Sequence, residues 1–167
     1  MGCDIHAYVE YQRWPSLERP WTVICHDVGS RDYRWFGIIA GVRVDDIQQV
    51  PMRGLPQGIS DNLVREAYLR VEVGDEATAD NTCTVDDAVR WKIPREKWIS
   101  LYNEDYVPHP DWHSHSWMTA AELDACILRY NMMFGDDLDA EWLAVAALMQ
   151  VFEDRGTPTR LVFWFDN

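Results

Sequence analysis

The segment Thr159-Arg160-Leu161-Val162-Phe163-Trp164-Phe165-Asp166 constrains this chain more than any other. It holds five large apolar residues in a row behind Gly156 and Pro158, is too short for a helix, and is rich in aromatic and β-branched side chains. That combination reads as a strand covered on both faces and central to its sheet. Leu161, Phe163 and Phe165 point one way and need a helical cover. Arg160, Val162, Trp164 and Asp166 point the other way, where Trp164 still needs shelter. Residues 2–11 alternate in the same period. Cys3, Ile5, Ala7 and Val9 line one face, and Asp4, His6, Tyr8 and Glu10 the other.

Between these two strands the periodicity changes. Trp21–Cys25 reads as a further strand. From Asp32 the recurrence of Tyr33, Phe36 and Ala40 predicts a helix, weakened by Gly37 and ended near Gly41. Ser60 can cap a short helix over 61–69, followed by a brief strand over 69–73 and a polar loop over 74–82. The stretch 83–102 reads as a turn plus a short segment opened by Pro94. Thr119 and Glu122 form a capping-box pattern ahead of Leu123, Cys126, Ile127 and Tyr130. A last helix is expected from about Asp139 to Glu153, with Trp142, Val145, Leu148, Met149 and Phe152 as its apolar stripe. At 167 residues, with no repeat or linker, the chain is expected to form one domain over 1–167. Its fold class is α+β: a small mixed sheet containing the N- and C-terminal strands, with helices packed on it.

Charge and cysteine usage narrow the partners. The net charge is −13, and it is uneven. Residues 1–60 carry seven acids and six bases, 61–87 eight acids and two bases, and 103–141 nine acids against Arg129. The basic island Arg90, Lys92, Arg95 and Lys97 is too small a footprint for non-specific nucleic-acid binding. The acidic runs suit either solvated faces or a basic protein partner. Cys3, Cys25, Cys83 and Cys126 form no C-x-x-C pair and read as reduced thiols of a cytoplasmic protein. No leader pattern and no membrane-length apolar run is visible, and His6 breaks a myristoylation signal.

The chemistry concentrates in two places. Asp4 and His6 share a strand face, and Asp166 joins them if the first and last strands are neighbours. Carboxylates and a neutral imidazole are natural ligands for a divalent metal such as Mn²⁺, Zn²⁺ or Mg²⁺, and such an ion can generate a hydroxide for hydrolysis. The other reading is an ordinary buried hydrogen-bond network around His6. The second cluster is His109-Pro110-Asp111-Trp112-His113-Ser114-His115-Ser116-Trp117, read as a loop before the capped helix. There His113 can serve as a base, His115 as a further ligand, and Ser114 as a nucleophile, although no G-x-S-x-G elbow surrounds it. A rigid loop bonding its own backbone explains the same residues. Arg31 and Arg34 stand at the start of a helix, against the favoured dipole sign. A specific task for Arg31 follows, either pairing with Asp27 or clamping an anion, with Arg43 as a second candidate clamp.

Asp4-Ile5-His6 is similar to the opening metal motif of metallophosphoesterases, and Gly135-Asp136-Asp137-Leu138-Asp139 loosely echoes their next one. The later Asn-His element is missing and the chain is too short for that fold. Taken as a set, Met1-Gly2-Cys3-Asp4-Ile5-His6, Arg31-Asp32-Tyr33-Arg34-Trp35-Phe36 with Ala40-Gly41-Val42-Arg43, Arg53-Gly54-Leu55-Pro56, His113-Ser114-His115-Ser116-Trp117 and Arg160 through Asn167 resemble an uncharacterised family of bacteriophage and prophage proteins. That family begins Gly-Cys-Asp-Ile-His. The resemblance implies a viral origin, a bacterial host cytoplasm and a single domain, but no activity.

Two functions are therefore expected in competition. The first is a small metal-dependent hydrolase of a phosphate-containing or nucleotide-like substrate, with Asp4, His6 and Asp166 on the metal. His113 and His115 would be base or further ligand, and Arg31 and Arg43 the anion clamp. The second is a non-enzymatic phage protein that binds a basic host protein, such as a defence factor, through its acidic surface.

Overall fold

The last strand lies inside its sheet, as its double-sided apolarity requires. The computed structural model describes residues 2–18, 20–74, 76–135 and 137–166. Met1, Asp136 and Asn167, which belong to the motifs above, lie outside the described residues. Strand β8 (Thr159–Phe165) runs between β1 (Ile5–Gln12) and β7 (His113–Met118), with β2 (Trp21–Cys25) beyond β1. The resulting four-stranded order is β2-β1-β8-β7, antiparallel throughout. Its register pairs Ile5 with Phe165, His6 with Trp164 and Glu10 with Arg160.

Helices α1 (Tyr33–Ala40), α4 (Ala120–Phe134) and α5 (Ala140–Glu153) cover one face of this sheet. Ile5, Ala7, Val9, Leu161, Phe163 and Phe165 meet Trp35, Phe36, Leu123, Cys126, Trp142 and Met149 there. Each helix begins where a side chain can satisfy its first free N–H groups. Asp32 accepts from the Arg34 and Trp35 amides, Thr119 and Glu122 form a reciprocal capping box, and Asp139 accepts from the Glu141 amide. Gly41 ends α1 at φ 65°, a backbone conformation that costs an L residue but not glycine.

The opposite face is not solvent. Tyr8, Val162 and Trp164 pack against Leu63, Val64 and Ala67 of α2 (Asp61–Ala67), and against Leu101 and Tyr106 of a second sheet. That sheet has the order β4-β3-β6-β5, built from β3 (Tyr68–Glu72), β4 (Thr82–Thr84), β5 (Ile99–Leu101) and β6 (Glu104–Pro108). Its β3–β4 pair is parallel and the others antiparallel. Helix α3 (Val85–Arg90) covers its far side, with a capping box from Thr84 and Asp87. The fold is thus α+β, with the N- and C-terminal strands side by side in one small sheet.

Three readings of the sequence change. The stretch 83–102, expected as a turn plus a short segment opened by Pro94, supplies α3, β5 and most of β4, and β6 follows directly after it. Those strands are three to five residues long, too brief for a two-residue period to declare itself. Of the histidine segment 109–117, expected as a loop, residues 109–112 lie outside any strand, while 113–117 belong to strand β7, with a bulge between His113 and Ser116. Finally, the face of β1 that alternation gives to Asp4, His6, Tyr8 and Glu10 is covered at Tyr8 and Glu10, which are buried, while His6 stays partly open. Among the described residues no helix is long and apolar enough to cross a membrane.

Candidate functional site

The β1–β8 pairing brings Asp4, His6 and Asp166 to one strand end. The Asp4 amide donates to Asp166 Oδ1 at 3.1 Å, and the Asp166 amide donates to the Asp4 carbonyl at 3.2 Å, so the two chain ends are mutually fixed. His6 Nε2 lies 3.3 Å from Asp166 Oδ2, and its Nδ1 lies 3.7 Å from Asp27 Oδ1. Asp27 leaves β2 at φ 42°, a left-handed conformation that aspartate tolerates better than most residues. The imidazole therefore has a carboxylate at each nitrogen and remains partly open to solvent.

Arg31 completes the group by pairing with Asp4 rather than Asp27. Its Nε donates to Asp4 Oδ1 at 2.7 Å, and Nη2 contacts the same oxygen. The Arg31 guanidinium also lies close over Gly2, where an added Cβ would stand 2.8 Å from Nη1. These side chains and Gly29 line a cavity of about 330 Å³. Gly29 closes it at φ 123°, where any Cβ would strike the Trp142 ring. Three carboxylates and one guanidinium leave the cavity with a formal excess of two negative charges. Arg43 turns instead to the N-terminal segment, donating to the Gly2 carbonyl at 3.3 Å and lying over the Tyr33 ring.

Trp112 and His109, which sequence reasoning placed in the second cluster, stack beside His6. The Trp112 ring lies 5.5 Å from His6 and 5.6 Å from Trp164, and His109 stacks on Trp112 at 4.4 Å. Burial holds the His109 imidazole below its ordinary pKa, against the pull of Asp111 and Asp166. The clustering of Trp112 and His109 just ahead of a strand was the available signal. Asp111 meets His109 through its backbone, whose amide donates to His109 Nδ1 at 3.2 Å.

His113 and His115 do not join His6. His115 stacks on Trp164 on the same sheet face as His6, but β1 and β7 are two strand spacings apart, roughly 10 Å, with the Trp164 indole between. Burial, with repulsion from His113, pushes the His115 pKa down to about 4. His113 lies against Phe165, which packs on the helix-covered face. Its Nδ1 lies 2.9 Å from Ser114 Oγ, while its buried Nε2 has no hydrogen-bond partner among the described residues. The bulge, with Ser114 at φ 52°, divides the two histidines between the faces. Ser116, also in this segment, is buried and accepts from the Arg53 amide at 3.2 Å.

Among the described residues no three His, Cys, Asp or Glu side chains are grouped as a ready-made metal cage. Asp4 already faces a guanidinium, which leaves His6 and Asp166 as the pair able to share an ion. No family model matches this chain, and no curated protein or solved structure is significantly similar to it.

Proposed function

We propose that this chain is a small hydrolase of a phosphate-containing or nucleotide-like substrate, and that a divalent cation enters its site together with that substrate. The observation that carries this reading is the His6–Asp166 pair in a cavity of excess negative charge beside Arg31. Ligands bonded to one ion at about 2.0–2.2 Å stand roughly 3.0–3.5 Å apart. The separation of His6 Nε2 and Asp166 Oδ2 is 3.3 Å. Two protein ligands are enough where water and substrate phosphates complete the shell, as is usual for Mg²⁺. Without a cation the cavity repels phosphate; with one, its charge is matched.

In this scheme the cation supplies charge neutralisation and a more acidic bound water. His6 and Asp166 hold it, Asp27 fixes the other imidazole nitrogen, and Arg31, exposed beside Asp4, offers its outward N–H groups to a phosphate oxygen.

The test is thermal unfolding and turnover with Mn²⁺, Zn²⁺ or Mg²⁺, using ATP and bis(p-nitrophenyl) phosphate as probes. A cation at a hundredfold excess over its Kd stabilises by about 2.7 kcal/mol. His6→Ala and Asp166→Asn should abolish both the metal-dependent rise in Tm and the turnover. A wild-type protein whose Tm is unmoved by all three metals, with or without ATP, overturns the proposal.

A further inference from the structure

Helix α5 is apolar nearly all round, yet only one side of it is buried. Trp142, Val145, Ala146 and Met149 enter the core. On the far side Ala140, Ala144, Ala147 and Val151 follow one another at intervals of four, three and four residues, all exposed. Helix α4 repeats the spacing with Ala121, Ala125, Leu128 and Met132, of which Ala125 is half-buried and the others exposed. Leu128 is 62 % exposed, Met132 79 %, Leu143 46 % and Val151 52 %. Both helices pack on β8 and on each other, so the two seams share the outer surface of one layer.

The spacing states what kind of element fits. A four-three-four apolar repeat is the seam of a coiled coil, made to receive side chains from another helix. The charge states which helix. Residues 119–155 carry eight acids against Arg129 and Arg155. Asp124, Glu141 and Asp154 are exposed on these two helices, and Arg129 is turned to the Ile47 carbonyl at 3.1 Å. Such a rim repels a second copy of this chain and an anionic lipid surface alike, and it attracts lysine and arginine beside an apolar seam.

We propose that the outer face of the α4–α5 pair is a docking surface for a basic amphipathic helix of a partner protein. The surface is separate from the His6 cavity and does not depend on its chemistry.

The probe is a labelled 18-residue Leu/Lys amphipathic peptide, with a Leu/Glu analogue of the same pattern, followed by fluorescence anisotropy at near-physiological salt. The Leu/Lys peptide should bind and the Leu/Glu analogue should not. Ala144→Arg and Ala147→Arg, at exposed positions, should each weaken binding by about tenfold or more while leaving the Tm in place. Leu128→Ser provides a second variant that adds no charge, and should weaken binding severalfold. Equal binding by wild type and the Leu128→Ser and Ala147→Arg variants would mean diffuse charge attraction and overturn the proposal. So would absence of binding, or a wild-type dimer in sedimentation that Ala147→Arg dissociates.

Discussion

His115 illustrates how neighbouring residues of one type acquire different properties from their surroundings. Its ring is stacked on the fully buried Trp164 and held neutral, with its pKa down at about 4 against the ordinary 6.5. Below about pH 6.5 the unfolded chain takes up a proton that the folded chain refuses, so stability from this residue is complete above that value. It is then lost as the pH falls towards 4. The expected loss is on the order of 2 kcal/mol across that interval, after allowance for the ring's partial access to water. Replacing His115 by Phe keeps the stacked ring and removes the proton site. Urea unfolding from pH 7 to pH 4 should show the His115→Phe protein losing less stability than wild type. Parallel pH profiles for the two proteins would contradict the assignment.

At the level of elements, the pairing of β1 with β8 is held by more than its backbone ladder. Glu10 and Arg160 stand opposite one another in register, both buried. Arg160 Nε donates to Glu10 Oε2 at 2.8 Å, and Nη2 lies 2.7 Å from the same oxygen as an ion-pair contact. Glu10 Oε1 accepts from the Ser60 amide at 2.8 Å, and Arg160 Nη1 donates to the Gln57 carbonyl at 3.1 Å. The pair thereby ties the central strands to the turn that starts α2, while the guanidinium lies over the Trp21 ring at 3.9 Å. Removing one partner strands the other in a dry interior. Glu10→Leu or Arg160→Met alone should cost about 3–5 kcal/mol in equilibrium unfolding, and the double replacement markedly less than the sum. Additive losses would mean that the two charges do not depend on each other.

Across the molecule, the two sheets meet through one buried surface. Trp164, Val162 and Tyr8 of the first sheet touch Leu101 and Tyr106 of the second, with α2 wedged between them. The second sheet's own core is small, formed by Leu69, Cys83, Ala88 and Val107, and is a poor candidate for independent stability. Unfolding should therefore be cooperative. Tryptophan fluorescence and far-UV circular dichroism should give coincident urea transitions, and Trp164→Ala should lower the midpoint of both together. A fluorescence transition that precedes the circular dichroism transition would show that the second sheet opens alone.

Legibility in the sequence followed the range of the interactions involved. The aromatic run 161–165 declared a central strand because no solvated face could accept it, and the alternation over 2–11 declared its neighbour. Thr119 with Glu122, Ser60, and Asp32 with Gly41 marked helix ends through capping bonds that span only a few residues. Antiparallel pairing of the terminal strands then made a meeting of Asp4, His6 and Asp166 geometrically natural. What the tertiary structure decided was every choice made by contact between distant segments. Asp27 turned to His6 while Arg31 turned to Asp4, pairings between segments more than twenty residues apart in the chain that no local pattern announces. The bulge in β7 sent His113 and His115 to opposite faces, a reversal that a two-residue period cannot announce, since one extra residue inverts it. The burial of Glu10 depended on Arg160 opposite it and on the Ser60 amide at the turn before α2, and that of Tyr8 on a second sheet whose strands of three to five residues draw their stability from what they pack against and not from their own pattern.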